Sequence, residues 1–296
     1  MQTHRATLLH SAGANLAEGP VWHDGALWWV DINGGTFNRL DPATGRNEAR
    51  ALGPYTADAV PCADGRWLIA QHQALFLYDW KTAARTPLAA AHHPALGARH
   101  RFNDGKSDPA GRLWLGTLSL ESAPAECALF VIDPRATAPV RTAVSGVSLS
   151  NGLGWSPDAR TFYYIDSPTR RVDRFDYDRA TGAISKRRPF HVFTEADGWP
   201  DGLAIDAHGH VWVALWGGGK VVQLDAATGA PRAEIPLPVS QPSSCAFGGP
   251  DLATLYITSA AQDLTPAQRA REPLAGALFS AQPGVSGQPL QPCRLG

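Results

Sequence analysis

Residues 199–204 read Trp-Pro-Asp-Gly-Leu-Ala, in which a carboxylate stands before a glycine and an apolar strand begins directly afterwards. Glycine has no Cβ, so the backbone at such a position can pack very close to a neighbouring group. Glu18, Asp104 and Asn151 also precede glycines, and a turn follows about seven or eight residues after each of these side chains and after Asp201. We therefore expect these four side chains to occupy one structural position that the chain repeats.

Strand-like segments recur along the chain in the same order, which is a second sign of a repeat. The glycine-containing turns between them recur at intervals of roughly 40 to 50 residues. This period is typical of the blades of a β-propeller, each built from about four strands. The clearest apolar run of each repeat covers residues 27–31, 67–70, 113–117, 161–166, 210–214 and 254–258.

The sequence thus predicts an all-β protein, a six-bladed β-propeller that forms a single domain over residues 1–296. Residues 6–9, Ala-Thr-Leu-Leu, form another strand-like segment before the first repeat. We expect this N-terminal strand to complete the last blade and close the ring. Helical periodicity is weak throughout, and the best helical segment is residues 263–272, where Thr265-Pro266 resembles a helix start.

The first strand of each blade lines the central channel of a propeller, so residues at its start point toward one mouth of that channel. Glu18, Asp104, Asn151 and Asp201 would then converge there from different blades. Asn-Gly and Asp-Gly pairs are also strong signals for simple turns. Because other glycine turns already account for the hairpins of the repeats, we favour a shared site. The matching positions of the two other blades hold Asp58 and Ser244, with less regular flanks.

Carboxylates that converge at a channel mouth repel one another, and a buried charge is costly without a counter-charge. One divalent cation is the natural compensation, and oxygen ligands suit Ca²⁺, Mg²⁺ or Mn²⁺, with Zn²⁺ and Fe²⁺ also compatible. Three or four protein ligands would leave room for water and substrate, as at a catalytic metal. Arg101 and Asn103 lie nearby in the sequence and supply a cation and an amide that can bind ligand oxygens.

Composition limits the partners that this chain can have. Of 296 residues, 44% are apolar and 18% charged, and the net charge is −1. This balance leaves no basic surface for nucleic acid or anionic lipid, so we expect a small-molecule partner, no nucleic acid and no membrane. The start of the chain does not resemble a signal peptide, and no run approaches the roughly 18 apolar residues of a membrane span. We expect a cytoplasmic protein whose oligomeric state the sequence does not indicate.

Cysteine, tryptophan and histidine residues carry mainly structural expectations. The four cysteines are widely spaced without a CxxC pair, which predicts buried, reduced thiols. Trp199 and Trp216 lie near the expected mouth, where they could line a pocket. The ten histidines show no zinc-binding spacing, and neither a GxSxG motif nor a Walker loop is present. The tryptophans expected in the core between blades are Trp28, Trp67, Trp114 and Trp212.

Seven short motifs follow one another in an order shared with one protein family. They are residues 18–22 (Glu-Gly-Pro-Val-Trp), 101–105 (Arg-Phe-Asn-Asp-Gly), 111–117 (Gly-Arg-Leu-Trp-Leu-Gly-Thr), 151–152 (Asn-Gly), 156–158 (Ser-Pro-Asp), 200–202 (Pro-Asp-Gly) and 247–251 (Phe-Gly-Gly-Pro-Asp). In this order they resemble the motifs of the regucalcin, gluconolactonase and bacterial sugar-acid lactonase family, also called senescence-marker-protein-like. The resemblance spans nearly the whole chain and implies a six-bladed propeller.

The resemblance also implies roles for particular residues. The implied ligands of one divalent metal are Glu18, Asn151 and Asp201, and Asp201 is also the implied base. The implied substrate contacts are Arg101, Asn103 and Glu121, of which Glu121 is placed by counting from residues 116–117 into a variable loop. Asp104 then lies behind the ligand-facing Asn103, and Asp58 has no assigned role.

We therefore expect metal-dependent hydrolysis of a sugar-acid lactone to the free aldonic acid in carbohydrate catabolism. Such aldonolactones include glucono-, xylono- and arabinono-lactone, and Asp201 would take a proton from the attacking water. Two alternatives stay open, namely a calcium-binding propeller without enzymatic activity and an aryl-esterase or phosphotriesterase-like hydrolase on the same scaffold. A panel of lactones assayed with and without chelator separates the three.

Overall fold

The computed structural model of this chain describes residues 1–88, 97, 99–136 and 138–294. Within these residues the chain forms short strands almost throughout, with one α-helix. The first two strands, β1 (Gln2–Thr3) and β2 (Ala6–His10), leave the N-terminus and join sheets formed much later in the chain. The strands that follow form six antiparallel sheets.

Each of the first three blades takes four consecutive strands. Blade 1 consists of β3 (Ala17–His23), β4 (Ala26–Asp31), β5 (Thr36–Leu40) and β6 (Asn47–Ala51). Blade 2 consists of β7 (Thr56–Pro61), β8 (Trp67–Gln71), β9 (Ala74–Tyr78) and β10 (Arg85–Pro87). Blade 3 consists of β11 (His100–Ser107), β12 (Leu113–Ser119), β13 (Cys127–Ile132) and β14 (Val140–Val147).

The other three blades continue the pattern until the last one. Blade 4 consists of β15 (Ser150–Trp155), β16 (Thr161–Asp166), β17 (Arg171–Tyr177) and β18 (Ile184–Val192). Blade 5 contains β19 (Trp199–Ile205), β20 (Val211–Trp216), β21 (Lys220–Leu224) and β22 (Pro231–Pro236). Blade 6 contains β23 (Pro242–Gly248), β24 (Thr254–Ser259) and β25 (Leu278–Ala281). The predicted six-bladed β-propeller is confirmed.

The ring is closed by the N-terminal strand, as the sequence predicted. β2 pairs antiparallel with β25 and supplies the fourth strand of blade 6. The sequence did not predict that β1 pairs in parallel with β22, which gives blade 5 a fifth strand. A two-residue strand of polar residues carries too little pattern to be recognised, and its pairing depends on where β2 anchors the chain.

The innermost strands β3, β7, β11, β15, β19 and β23 lie beside one another around the channel, and β23 returns to β3. The second strand of each blade is sandwiched between neighbouring blades, so it is buried on both faces and nearly continuously apolar. Trp28 and Trp67 pack between blades 1 and 2 with ring centroids 4.5 Å apart. Trp114 and Phe162 do the same between blades 3 and 4 at 4.8 Å. The predicted tryptophan core is confirmed, since all four of its members are buried.

Each innermost strand is interrupted near its start by a β-bulge. The pairing with the second strand shifts register after Glu18, Thr56, Phe102, Ser150, Pro200 and Pro242. A bulge bends the strand and re-aims the side chains at the irregularity. The pairs in which a polar residue precedes a glycine lie in these bulges. Their glycines allow neighbouring innermost strands to pack closely. At Gly105, an added Cβ would stand 2.7 Å from Asp58 Oδ2.

The C-terminal segment 285–294, called the tail below, crosses the other mouth of the channel. Its backbone bonds to blade 5 through Ala207 N to Ser286 O at 2.8 Å, and to blade 3 through Arg294 N to Gly111 O at 2.8 Å. Residues 288–291 of the tail wall a cavity of about 170 Å³, together with residues from the far ends of the innermost strands. The tail therefore covers the mouth at which those strands end.

The remaining expectations concern the helix and the thiols. The α-helix, α1 (Pro266–Arg271), lies inside the segment predicted to be helical, and the Thr265 side chain caps it by accepting a hydrogen bond from Gln268 N. No helix in the described part of the chain is long and apolar enough to cross a bilayer. All four cysteines are buried and free, as predicted.

Candidate functional site

A cavity of about 430 Å³ opens at the mouth where the innermost strands begin. Because the bulges lie at these strand starts, several blades present polar side chains to one space. The residues of the innermost strands in its wall are Glu18 of blade 1, Arg101 and Asn103 of blade 3, Asn151 of blade 4, and Trp199 and Asp201 of blade 5. The cavity therefore unites all three predicted metal ligands with two of the three predicted substrate contacts, whose roles stay predictions.

A chain of hydrogen bonds fixes the polar wall of the cavity. Arg101 Nη1 donates to Asn103 Oδ1 at 2.7 Å, and Asn103 Nδ2 donates to Asn151 Oδ1 at 2.7 Å. Asn151 Nδ2 donates to Ser167 Oγ at 2.8 Å, and that hydroxyl donates to Pro200 O at 2.6 Å. This chain runs from blade 3 through blade 4 to the residue before Asp201. It holds the amides in one orientation without using the Asp201 carboxylate.

The Asp201 carboxylate accepts no hydrogen bond from the described residues, although the residue is only 8% exposed. Burial raises its pKa well above the ordinary value, and the charges of Glu18 and Asp104 raise it further. Burial likewise raises the pKa of Glu18 to about 8, with a further contribution from Asp104. Both shifts arise because negative charge is held in a poorly solvated place with too little compensation.

Arg101 supplies the positive charge nearest to these carboxylates. Burial lowers the pKa of Arg101 to about 10, while the charges of Glu18 and Asp201 act in the opposite direction. The guanidinium therefore keeps its charge at neutral pH. It also lies over the ring of Tyr55, with Cζ 5.9 Å from the ring centroid. One buried cation faces two carboxylates, which leaves the site short of positive charge.

Asp104 is not among the residues that line the cavity, so the expectation from spacing that it converges there with the other three side chains is wrong. Asp58 is next to it, and its Oδ1 accepts from Ala59 N at 2.8 Å while its Oδ2 has no partner among the described residues. Burial raises the pKa of both carboxyl groups, and Lys106 opposes the shift in each. The Lys106 Nζ donates to Leu153 O at 3.0 Å and also to a backbone oxygen of blade 5. The sequence did not single out Lys106, because a lysine inside a strand gives no signal of facing a channel.

Glu121 is not among the residues that wall the cavity. Its side chain is 57% exposed and accepts from Arg99 Nη1 at 3.0 Å. The loop turns at Ser122, which has a positive φ of 56°, so Ser119 and Ser122 reach the cavity while Glu121 points away. Counting through a loop cannot follow such a reversal. The role of Glu121 as a substrate contact stays a prediction that this geometry does not support.

Residues that the sequence reasoning missed also position the site. Ser167 was not recognised, although it follows the buried strand end at Asp166. The Asp166 carboxylate accepts from Leu149 N at 3.0 Å and so ties down the loop that enters β15. Asp31 makes the equivalent bond with Leu16 N at 3.0 Å in blade 1. An aspartate ends the second strand in blades 1 and 4, as Asp31 of β4 and Asp166 of β16, and this recurrence could have been read as the clamp.

The side chains present fit a divalent cation. The carboxylates of Glu18 and Asp201 come from different blades and form no ion pair among the described residues. The Asn151 amide oxygen has a lone pair free beyond its bond from Asn103. Among the described residues no three His, Cys, Asp or Glu side chains are grouped so that they could hold a metal by themselves. The amide oxygen would therefore have to complete the ligand set, as the prediction of Glu18, Asn151 and Asp201 requires.

Comparison with known proteins adds to this geometry. The family model described as the SMP-30/Gluconolactonase/LRE-like region matches residues 16–261. The chain belongs to this family. Within the SMP-30/gluconolactonase family, regucalcin of Danio rerio is 38% identical over 279 residues, which are 93% of this chain and 93% of that protein. YvrE of Bacillus subtilis, provisionally named a sugar lactone lactonase, is 35% identical over 286 residues, 95% of this chain and 96% of that protein.

A solved structure agrees with both the family and the fold. The crystal structure of a calcium-binding protein, regucalcin, from Agrobacterium tumefaciens superposes with a TM-score of 0.92 at 29% identity, covering 100% of both chains. The resemblance inferred from the seven motifs is confirmed. The description of the SMP-30/gluconolactonase family joins proteins known by several different names, so membership gives the fold and a hydrolase precedent, and the reaction of this chain requires its own argument.

Proposed function

We propose that this chain hydrolyses a sugar-acid lactone at the cavity where the innermost strands begin. The observation that carries this proposal is the Asp201 carboxylate, which is buried at the cavity wall without a hydrogen bond from the described residues. A buried carboxylate in that state is destabilising unless it serves a ligand or a reaction. Gluconolactonase in the family description and the provisional name of the Bacillus subtilis relative support a lactone as the substrate.

Glu18, Asn151 and Asp201 would hold the divalent cation. A bound divalent cation supplies charge that polarises an ester carbonyl and lowers the pKa of a nearby water. The Asp201 carboxylate takes a proton from the water while the oxygen of that water bonds to the lactone carbonyl carbon. The ring carbon–oxygen bond then breaks, and the same proton passes to the leaving ring oxygen, which gives the open hydroxy acid.

The polar wall orients the substrate for this step. Arg101 Nη1 already donates to Asn103, which fixes the position of the guanidinium. Its other N–H groups donate to the developing negative charge or to a sugar hydroxyl. Asn103 in turn is held by Asn151, so movement of either amide would disturb both ligand sites. We propose aldonolactones such as glucono-, xylono- or arabinono-lactone as substrates. The four reduced, buried cysteines accord with a cytoplasmic place for this reaction.

A lactone panel with and without chelator tests the proposal. We expect wild-type protein to hydrolyse aldonolactones, to lose this activity in excess chelator, and to regain it with Ca²⁺, Mn²⁺ or Zn²⁺. The fold should survive metal removal, because apolar packing joins neighbouring blades and β2 closes the ring without the metal. Circular dichroism measured alongside the assay checks this. Glu18→Gln should weaken metal binding, while Glu48→Gln on the outer strand of the same blade is the matched control.

Other outcomes of this panel select the alternatives. Stoichiometric calcium binding without turnover of any lactone would favour a calcium-binding propeller, which the Agrobacterium tumefaciens regucalcin makes a specific alternative. Faster hydrolysis of aryl esters or phosphotriesters than of aldonolactones would favour the esterase class. Undiminished lactone turnover after complete metal removal would contradict the metal-dependent mechanism.

A further inference from the structure

One aromatic side chain at the cavity mouth is exposed. Among the described residues the exposed large apolar side chains are Met1, Leu8, Leu120, Val192 and Trp199, and only Trp199 is aromatic, at 41% exposure. Trp199 also lines the cavity. The part of the indole that stays in water does not contribute the stabilisation that its burial would provide. An exposed indole at the mouth of a polar cavity indicates that a ligand covers it.

The surroundings of Trp199 hold it in one place. Arg170 lies over the ring, with Cζ 4.0 Å from the centroid, and its Nη1 donates to Gly198 O at 3.1 Å. Trp216 is the register partner of Trp199 across β19 and β20 and lines the same cavity. An added Cβ at Gly198 would meet Trp216 O at 2.6 Å, so the turn into β19 requires glycine. The indole is therefore positioned before any ligand arrives.

The position of Arg170 tells which kind of group the free face can accept. Arg170 covers one face of the Trp199 ring and is not among the residues that line the cavity, which points to the other face as the one open to a ligand. The ring quadrupole is already satisfied on the Arg170 side by a cation, which disfavours a second cation on the other. The free face suits weakly polarised C–H groups or another ring.

Blade 3 supplies the complementary requirement. Arg101, Asn103 and Ser119 line the cavity from blade 3 and offer donors and acceptors. A ligand that satisfies both walls must present hydroxyl groups along one side and C–H groups along another. A sugar ring has that character, whereas an aryl ester would leave polar groups of blade 3 facing an apolar surface.

We propose that Trp199, backed by Arg170, is a platform for the C–H face of the sugar part of the lactone and so selects sugar lactones over unsubstituted ones. This inference rests on the proposed function. Trp199 stands two residues before Asp201 on the same strand, so a ring resting on the indole is brought beside the reacting carboxylate. The platform is a specificity determinant and takes no part in bond breaking.

Steady-state kinetics on two lactones test the platform. We expect Trp199→Ala to raise the KM for glucono-δ-lactone by about 3- to 10-fold while kcat changes by less than about twofold, because an aromatic contact is lost and the base is retained. The KM for δ-valerolactone, which has no hydroxyl groups, should change by less than about twofold. Trp199→Phe should recover most of the loss. Leu120→Ala is the control, since Leu120 is 40% exposed but does not line the cavity.

Binding of a product that cannot react separates this inference from the proposed function. Gluconate titrated calorimetrically into metal-loaded protein should bind more weakly to Trp199→Ala than to wild type or Leu120→Ala. If wild type hydrolyses no lactone, the proposed function fails and this titration alone decides whether the platform exists. Unchanged KM and gluconate affinity in Trp199→Ala would overturn the platform while leaving the lactonase proposal intact. A larger effect on dihydrocoumarin, an aryl lactone, than on the sugar lactone would overturn the assignment to sugars.

Discussion

Asp201 differs from the structural aspartates of this protein in what holds its carboxylate. Asp206, five positions further on, is fully buried and accepts from two backbone amides and from Trp212 Nε1 and Gln223 Nε2, both at 3.0 Å. Asp108 has the same role in blade 3 and accepts from Trp114 Nε1 at 3.0 Å. Both satisfy their buried charge internally, whereas Asp201 does not. Removing Asp206 would cost stability, and removing Asp201 should cost activity.

Asp201→Asn should lower lactone turnover by more than it lowers metal occupancy. The amide keeps an oxygen that can ligate the cation but cannot accept a proton at neutral pH. Loss of a general base costs about 10²- to 10⁴-fold in rate. Rates compared at saturating metal isolate proton transfer from the weaker metal binding that loss of a charge also causes.

Asn151→Asp is the matched control for that substitution. It adds a charge to the same ligand set, so metal should bind more tightly, but it does not replace the base at position 201. Retention of more than about a tenth of the wild-type rate by Asp201→Asn at saturating metal would lie outside the range for a lost base. Asp201 would then be a metal ligand only.

The sequence placed Glu18, Asn151 and Asp201 at the channel mouth, where they line the cavity, although their roles stay predictions. Contacts that depend on other parts of the chain could not be predicted. The glycine phrases of the sequence pointed to Asn151 and Asp201. Ser167 could not be found in this way, because its contact with Asn151 depends on how the end of β16 meets the next blade. Nor does sequence distinguish the unsatisfied Asp201 from the satisfied Asp206, since the side-chain donors to Asp206 come from two other strands.

A turn that closes the outer hairpins recurs as Asp-x-x-Thr in four blades. In each, the aspartate bonds within the turn, as in Asp41, which accepts from Thr44 Oγ1 at 2.8 Å. Asp225 shows the fullest set, because it accepts from Thr228 N at 3.0 Å and from Arg232 Nη1 at 2.9 Å. The backbone bond from Thr228, followed by the bond from Arg232, lowers the pKa of Asp225 to about 2. The remaining aspartates of this type, whose pKa values are also lowered, are Asp79 and Asp178.

Asp225→Asn should destabilise the protein at neutral pH and progressively less in acid. The folded pKa of about 2 lies below the ordinary value of 3.8, so the charged carboxylate stabilises the fold above about pH 4. That contribution is lost as the pH falls toward 2, and roughly half of it is gone by pH 3. The difference between the urea midpoints of wild type and variant should therefore be about half as large at pH 3 as at pH 7.

The control for this comparison is Glu195→Gln. Glu195 is exposed, and its carboxylate accepts no hydrogen bond from the described residues. Its urea midpoint should match that of wild type at both pH values. A gap between Asp225→Asn and wild type that stays constant from pH 7 to pH 3 would show that the turn depends on the shape of the side chain and not on its charge.

Strands and turns were predictable from the sequence because they depend on local patterns, whereas the six bulges were not. A bulge at the start of β19 or β15 is needed to fit six twisted strands around one channel, so its cause is the ring. The sequence indicated only that the glycines at these places bring the backbone close to some neighbouring group. They make room for the adjacent innermost strand, and the displaced polar residues reach the cavity as a result.

The tail acts on the molecule as a whole, because it ties blades 5 and 6 to blades 2 and 3 across the channel. Gly287 N donates to Leu252 O at 2.9 Å, and Cys293 N donates to Pro61 O at 2.8 Å. A chain that ends at Gly284 should unfold at a temperature lower by roughly 6 to 20 °C, since several backbone bonds and apolar contacts are lost. Differential scanning calorimetry measures this change.

Lactone turnover should show that the tail stabilises the fold and is not part of the site. Because the tail covers the mouth opposite to Asp201, the shortened chain should keep lactone turnover within about threefold of the full chain at 15 °C, well below its melting range. An unchanged melting temperature would show that the tail adds nothing to the ring. Loss of turnover with the fold intact would mean that the two mouths communicate through the channel.

Sequence reasoning reached the blade count and the role of β2 at the scale of the whole molecule, because both follow from counting repeats. It missed the path of the tail, since residues 285–294 contain no strand pattern and take their direction from the channel mouth beneath them. The loop containing Glu121 was missed for the same reason. A search for repeats does not detect segments whose conformation depends on their surroundings and not on their own periodicity.

The pairing of β2 with β25 makes the order of synthesis matter. Thr7 meets Ser280, 273 positions further along the chain. At about 5–20 residues per second, β2 leaves the ribosome roughly 14 to 55 seconds before its partner exists. Blades 1 to 5 can form from neighbouring strands during that time, whereas blade 6 waits. Where several chains are synthesised close together, the β2 of one nascent chain can pair with the β25 of another and yield a domain-swapped dimer.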